Sequence, residues 1–261
     1  MELFEIFDSF RLTHGEGLEI KAGSLHLRVK RISMGWGFVK TDIYEPFDNV
    51  EVSRIVPDFE VSESNLYQTG RSDVLVVTPI LPEKPVVLKN SGLRIHPGQN
   101  MHFFVKIPLN LQFFFENAVP HHLIAEFPMF RLSDTWFGEP DEGEPAFALG
   151  NFYRKEVSLL NIRPWEAVCP VHILNNSNLL LEVQRLIIRV ENLTLIRSGR
   201  QLLTSLVEIE YKGRDQVSSA SYHIDKAIHG NEFTQLAEPR NTAAKSSLKI
   251  NFHFIKNIYQ W

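Results

Sequence analysis

The sequence has almost no cysteine and no long hydrophobic run, and each shortage excludes a class of protein. Cys169 is the single cysteine among 261 residues. This excludes an internal disulfide framework and any zinc or iron–sulfur site built from several cysteines. No apolar run reaches the roughly 18 residues that a membrane-spanning helix needs. We therefore predict a chain without direct membrane insertion.

An excess of charge of one sign is also lacking. The chain has 27 Lys and Arg residues against 31 Asp and Glu, which gives a net charge of −4. Proteins that bind nucleic acid or an anionic membrane surface carry a strongly basic patch, so neither partner is predicted. The first ten residues include Glu2, Glu5 and Asp8, which is the wrong sign for a secretory signal. A cytoplasmic location is the expectation.

Alternating hydrophobic residues form the strongest pattern in the sequence. Between residues 101 and 115 every second residue is apolar, which predicts a strand with one buried face. Pro108 cannot donate a hydrogen bond to a sheet ladder, so we predict a break or bulge there. Phe104 and Phe114 lie on the nominally polar face. Their position predicts that this face is covered as well, by another domain or a second subunit.

Similar alternation recurs at residues 25–29, 207–211 and 248–254. Glycine, proline and asparagine clusters separate these segments, as is typical of sandwiches and barrels. Residues 180–190 are rich in Ile and Val and are read as strand. Helix is predicted only as one or two turns within residues 222–237, before Gly230 interrupts. The predicted fold class is all-β, mainly antiparallel, with little helix.

A domain boundary is predicted where the long aromatic segment ends. Polar residues and Pro120 follow it, and each side of this point has its own set of alternating strands. We predict two β-sandwich-like domains, residues 1–117 and residues 118–261. One continuous sheet assembly is the competing interpretation.

The most individual segment of the chain is LSDTWFGEPDEGEPAFALG, at residues 132–150. Its turn, Trp-Phe-Gly, acidic turn and aromatic strand resemble a prokaryotic family known as domain of unknown function 432. Residues 175–196, an Asn/Ser turn followed by two apolar strands, resemble the same family, and the resemblance covers nearly the whole chain. That family has no established activity, so the resemblance assigns no catalytic residue.

The same segment contains the strongest candidates for a functional surface. Trp136 and Phe137 place two large rings beside the carboxylates of Asp134, Asp141 and Glu144. A calcium loop needs oxygen ligands at spaced positions, but the EF-hand pattern is absent. Paired carboxylates also occur in glycosidases. The simplest interpretation is a turn whose carboxylates stay in water while Trp136 packs at a domain or subunit junction.

The histidines are the second group of candidates. His121 and His122 are adjacent, Glu126 follows them, and His96 and His102 lie earlier in the same third of the chain. Zinc hydrolases use a helical His-Glu-x-x-His motif, which is absent here. Adjacent strand residues point to opposite faces, so the pair is not expected to share a metal. We predict a surface pair, with no metal and no cofactor.

No phosphate-binding loop or nucleophile elbow occurs in the sequence, and Cys169 lies in an apolar strand-like segment where a thiol packs as a small hydrophobe. We predict a non-enzymatic binding or assembly module with a protein partner or self-association. One alternative is a hydrolase whose carboxylates and histidines converge only in three dimensions. The other is a carbohydrate- or small-ligand-binding module that uses the segment around Trp136. The predicted surface comprises Trp136, Phe137, Asp134, Asp141, Glu144, His121 and His122.

Overall fold

Strands dominate the computed structural model, which describes residues 6–60, 65–115, 122–150, 153–213, 218–241 and 248–249. The strands are β1 (Ser9–Arg11), β2 (Gly17–Ile32), β3 (Gly35–Ile55), β4 (Asn65–Gln68), β5 (Val74–Ile80), β6 (Val86–Ile95), β7 (Asn100–Pro108), β8 (Asn110–Phe115), β9 (Leu123–Pro128), β10 (Ser133–Phe137), β11 (Glu144–Gly150), β12 (Tyr153–Arg154), β13 (Glu166–Asn175), β14 (Leu181–Ile188), β15 (Leu195–Ser198), β16 (Gln201–Thr204), β17 (Leu206–Tyr211), β18 (Ser219–His223), β19 (Thr234–Ala237) and β20 (Leu248–Lys249). The helical segments of the described residues are short, namely α1 (Lys226–His229) and 3-10 turns at Val157–Leu159 and Val190–Asn192. Most paired strands are antiparallel, which confirms the predicted all-β class.

The long alternating segment forms two strands, as predicted. β7 ends at Pro108 and β8 begins at Asn110, while Leu109 between them is fully buried. Phe103 and Phe113 are buried on the predicted inner face. The break follows from the missing N–H of proline.

Phe104, on the nominally polar face of β7, is partly buried. Phe104 packs against a buried group of Val168, Ile196 and Leu203, together with Val157, Leu160, Ile162 and Ile224. All of these residues belong to the same compact unit as Phe104. Residues of the same unit therefore contribute to the cover over Phe104, and cover by another domain or a second subunit stays a prediction.

The first compact unit consists of the described parts of residues 1–80, 108–131 and 163–166. It contains a three-stranded sheet in the order β2-β3-β4 and a four-stranded sheet in the order β1-β5-β8-β9. β2 bends at Gly23, where φ is +56° and the pairing with β3 shifts register. A Cβ there would lie 2.2 Å from the Met129 carbonyl oxygen, so the close approach requires glycine.

The second compact unit consists of the described parts of residues 81–107, 132–162 and 167–261. It contains a four-stranded sheet in the order β10-β11-β6-β14. Its nine-stranded sheet runs β19-β15-β16-β13-β17-β18-β20, with β7 beside β13 and β12 beside β7. One face of this sheet buries Val171 and Ile209, whereas His172 and Glu208 lie on the opposite face, which we call its polar face.

The two units are interleaved along the chain, because each one is assembled from separate segments. The predicted division into residues 1–117 and 118–261 is a different partition of the chain and stays a prediction. Two other expectations lie outside the described residues: the segment at residues 116–120, where the boundary was placed, and the strand pattern beyond residue 249.

Among the described residues, no helix is long and apolar enough to cross a bilayer.

Candidate functional site: the Trp136 loop

The strongest candidate surface is the turn between β10 and β11, and we define the Trp136 loop as residues 136–143. The antiparallel register places Trp136 opposite Pro145 and Phe137 opposite Glu144. β10 lies at the end of its sheet, with β11 as its one neighbouring strand in the described part of the chain. The loop thus sits at the margin of the four-stranded sheet.

Two glycines make the loop tight enough to hold the indole ring. Gly138 has a φ of +110°, and a Cβ there would lie 2.6 Å from the Cα of Gly143. A Cβ on Gly143 would lie 2.1 Å from Nε1 of Trp136. That N–H donates a hydrogen bond of 3.0 Å to the Glu139 carbonyl oxygen. The ring is therefore fixed against the loop backbone, although 45% of Trp136 remains exposed.

Phe137 belongs to the core instead of the surface. It is 7% exposed. Its cluster contains Val87, Ala146 and Ile187. The guanidinium of Arg185 lies 5.3 Å from the centre of the Phe137 ring and also donates to the Trp136 carbonyl oxygen. Of the two adjacent rings, Trp136 is the one that a partner can reach.

The three predicted carboxylates have different environments. Asp134 is exposed and accepts a hydrogen bond of 2.9 Å from Nζ of Lys84. Asp141 is exposed in the turn. Glu144 is only partly exposed, and both of its oxygens accept hydrogen bonds from the guanidinium of Arg189. The expectation that Glu144 stays in water is therefore wrong, because a bidentate arginine pair removes much of it from solvent.

Glu144 is part of a larger group, the Arg189 cluster, which comprises Glu144, Arg189, Glu191, Asn192 and Tyr222. Arg189 lies 3.6 Å from Oε1 of Glu191, whereas Oε2 of Glu191 is buried without a hydrogen-bond partner among the described residues. Burial raises the pKa of Glu191 and also that of Tyr222. Both terminal nitrogens of Arg189 donate hydrogen bonds to Glu144, so the guanidinium is already paired within its own unit. The cluster acts as an internal ion-pair network.

The structure describes one member of the predicted histidine pair. His122 is an exposed residue just before β9 in the first unit, and His121 lies outside the described residues. The Glu126 carboxylate accepts a hydrogen bond of 2.6 Å from the side-chain amide of Asn110. Within the described ranges, no three His, Cys, Asp or Glu side chains are arranged to hold a metal ion together.

A second histidine pair, which sequence reasoning did not predict, lies on the polar face of the nine-stranded sheet. The rings of His102 on β7 and His172 on β13 are stacked, with centres 3.9 Å apart and planes 7° from parallel. Nδ1 of His172 lies 3.1 Å from Oε1 of Glu208 on β17. Alternation along each strand points these residues to one face. Their adjacency depends on strand order, which one sequence does not reveal.

Cys169 has no role in a reactive site. Its thiol is fully buried, and burial raises its pKa to about 12. A thiolate is the reactive form of cysteine, so this thiol is inert near neutral pH. The side chain packs as a small hydrophobe, as predicted.

Comparison with known proteins identifies a family for this chain. No curated protein and no solved structure matches the chain. A family described as protein of unknown function (DUF432) matches residues 6–256, which include the segments at 132–150 and 175–196. Since this match spans nearly the whole sequence, the chain belongs to the DUF432 family.

Proposed function

We propose that the protein is a non-enzymatic, cytoplasmic binding module that holds a protein partner through the Trp136 loop. The observation that carries this proposal is the state of the Trp136 ring, which is fixed to the loop backbone yet 45% exposed. A ring that is already immobilised loses little conformational freedom when a partner covers it. Tryptophans of this kind are enriched among the residues that dominate binding energy.

The charge of the loop indicates the kind of partner. Glu139, Asp141 and Glu142 are exposed in the turn that holds the ring. A lysine or arginine of a partner can pair with such carboxylates and lie over the face of an indole. The proposed partner therefore presents basic side chains, and screening by salt should weaken its association.

The hydrolase alternative receives less support from the geometry. It requires carboxylates and histidines to converge on a substrate, but Asp134 pairs with Lys84 and Glu144 pairs with Arg189. Both partners lie in the same unit as these carboxylates. Carboxylates that are engaged separately with basic side chains are poor candidates for joint acid–base catalysis.

Site-specific photocross-linking tests the proposal. Trp136 is replaced with the photoreactive amino acid p-benzoylphenylalanine in cells that express the chain, and the products are identified by mass spectrometry after irradiation. The matched control is the same replacement at Phe233, an aromatic residue of the same unit that is 42% exposed. We expect a protein with a basic surface to cross-link from position 136 and not from position 233.

Other products of this experiment would redirect or refute the proposal. A cross-link to a second copy of the chain would identify self-association as the role of the loop. The same products from both positions, or none from position 136, would contradict the proposal. Binding of a sugar that Trp136→Ala abolishes would favour the small-ligand module instead.

A further inference from the structure

The free edge of β10 presents backbone groups beside the exposed Trp136 ring. Among the described residues, β10 is the outermost strand of its four-stranded sheet, with β11 as its neighbour on one side. An outermost strand has a row of backbone N–H and C=O groups that no neighbouring strand pairs. The hydrogen-bond pattern between β10 and β11 identifies the residues of β10 that carry this row.

Two observations identify these residues as Asp134 and Trp136. Trp136 is opposite Pro145, which has no N–H, so this pair cannot exchange the two hydrogen bonds of a hydrogen-bonded antiparallel pair. Phe147, opposite Asp134, donates its N–H to the carbonyl oxygen of Pro85, which directly precedes β6 on the other side of β11. Asp134 and Trp136 are thus both in non-hydrogen-bonded pairs. Their backbone N–H and C=O groups point away from β11, toward the free edge.

One of these edge groups also contacts a side chain of the same unit. The Trp136 carbonyl oxygen accepts a hydrogen bond from the guanidinium of Arg185. A carbonyl oxygen has two lone pairs, so it can accept a second hydrogen bond from another strand. The edge therefore offers two donors and two acceptors at alternate residues, which is the spacing that an added strand requires.

The side chains of the same two residues indicate which strand would fit. Alternation places Asp134 and Trp136 on one face of β10, and both are exposed. The turn that follows adds the exposed carboxylates of Glu139, Asp141 and Glu142. Cross-strand pairs of opposite charge are favourable, so a lysine or arginine is the residue that fits opposite Asp134. The side chain two positions away in an added strand would lie over the indole.

We propose that the protein partner adds an extended segment to the free edge of β10, as a fifth strand of the four-stranded sheet, with a basic side chain opposite Asp134. This inference rests on the proposed binding role of the Trp136 loop. In strand addition, main-chain hydrogen bonds provide affinity and alternate side chains provide specificity. The partner segment should therefore have two recognised residues separated by one residue that the protein does not select.

The first test compares Asp134→Pro with Asp134→Ala in binding to the protein that cross-links from position 136. Both variants lose the carboxylate, but only proline also removes the N–H that points to the free edge. Proline is tolerated in edge strands at such positions, so the two variants should have similar free energies of unfolding. Affinity for the partner should be about tenfold lower in Asp134→Pro than in Asp134→Ala, because an acceptor of the added strand loses its donor.

The second test uses the unaltered chain, so it does not depend on how the variants fold. A synthetic peptide with the sequence of the partner segment that cross-links to position 136 is titrated into the chain by isothermal titration calorimetry. N-methylation of the peptide at one set of alternate residues, whose N–H groups would face β10, should lower the affinity at least about tenfold. N-methylation at the intervening residues should leave the affinity unchanged.

The outcomes distinguish this inference from the proposed function. If no protein cross-links from position 136, both are overturned. Strand addition alone is overturned, and the binding role of the loop is retained, if the partner binds the two folded Asp134 variants equally. The same conclusion follows if the peptide does not bind, or if N-methylation at both sets of residues has the same effect.

Discussion

Trp136 and Phe137 are neighbours in the sequence but have opposite roles in the structure. Phe137 is 7% exposed and belongs to the core of the second unit, whereas Trp136 is 45% exposed. The nearby carboxylates differ in the same way, because Glu144 is bound by Arg189 while Asp141 is exposed. One hairpin thus carries two sets of residues, of which one is engaged within the fold and the other is exposed.

Within this short segment, the residues that stabilise the fold are different from the residues that are exposed. A side chain that is already hydrogen-bonded or packed within its own unit has few groups and little surface available to contact a partner. By contrast, a fixed and exposed ring beside free carboxylates adds little to folding and can contribute strongly to recognition. The predicted surface therefore divides into Trp136 and Asp141, for which we propose a binding role, and Phe137 and Glu144, which are engaged within the fold.

The largest effect on folding is expected for Phe137→Ala. Removing a buried phenylalanine from a packed cluster should lower the free energy of unfolding by about 3–5 kcal/mol. Phe233→Ala, at an exposed ring of the same unit, should cost about 0.5 kcal/mol or less. Chemical denaturation of both variants measures the difference. Similar losses in the two variants would show that Phe137 is not core.

A smaller loss is expected for Arg189→Ala. The substitution leaves the Glu144 and Glu191 carboxylates without their shared counter-charge in a half-buried setting. Fully buried pairs cost about 3–5 kcal/mol when one partner is removed, and partial exposure reduces this to about 2–3 kcal/mol.

The control for this prediction is Lys84→Ala, which removes the partner of Asp134 in an exposed pair. It should change the free energy of unfolding by less than about 1 kcal/mol. If the two substitutions have equal effects, the contrast between the internal and the exposed carboxylates is wrong.

Glu191 makes the Arg189 cluster sensitive to pH. Burial raises the pKa of Glu191, so the folded protein holds the proton of this carboxyl at pH values where the unfolded chain has released it. This contribution to stability is complete below the pKa of the unfolded chain and is lost as the pH rises through the folded pKa.

Glu191→Gln cannot ionise, so it should lack this decline. The unfolding free energy of the variant should therefore increase relative to that of the unaltered chain as the pH rises above the ordinary pKa of glutamate, about 4.3. Denaturation curves at several pH values measure the difference. A difference that stays constant with pH would mean that the carboxyl titrates alike in the folded and unfolded chains.

The strands could be predicted from the sequence because alternating apolar residues identify the buried face of each one. Leu111 and Phe113 identify the inner face of β8, and Pro108 marks the end of β7 without knowledge of any partner strand. The single α-helix among the described residues was also expected, since Gly230 follows it directly.

The polar clusters could not be predicted from the sequence, because they bring together strands that are distant in it. Glu144 meets Arg189 only because β11 and the end of β14 belong to one folded unit. His102 stacks on His172 because β7 lies beside β13, although about 70 residues separate them. Alternation indicates which face a side chain occupies but not which strand lies next to it.

The most direct test compares Trp136→Ala with the unaltered chain in two assays, the free energy of unfolding and the recovery of the partner identified by cross-linking from position 136. Trp136→Ala removes one hydrogen bond and a half-exposed ring, so it should cost about 1 kcal/mol of stability. It should nevertheless abolish recovery of the partner, whereas Phe233→Ala should retain it. Full recovery of the partner by Trp136→Ala, or a loss of stability as large as that of Phe137→Ala, would contradict the account.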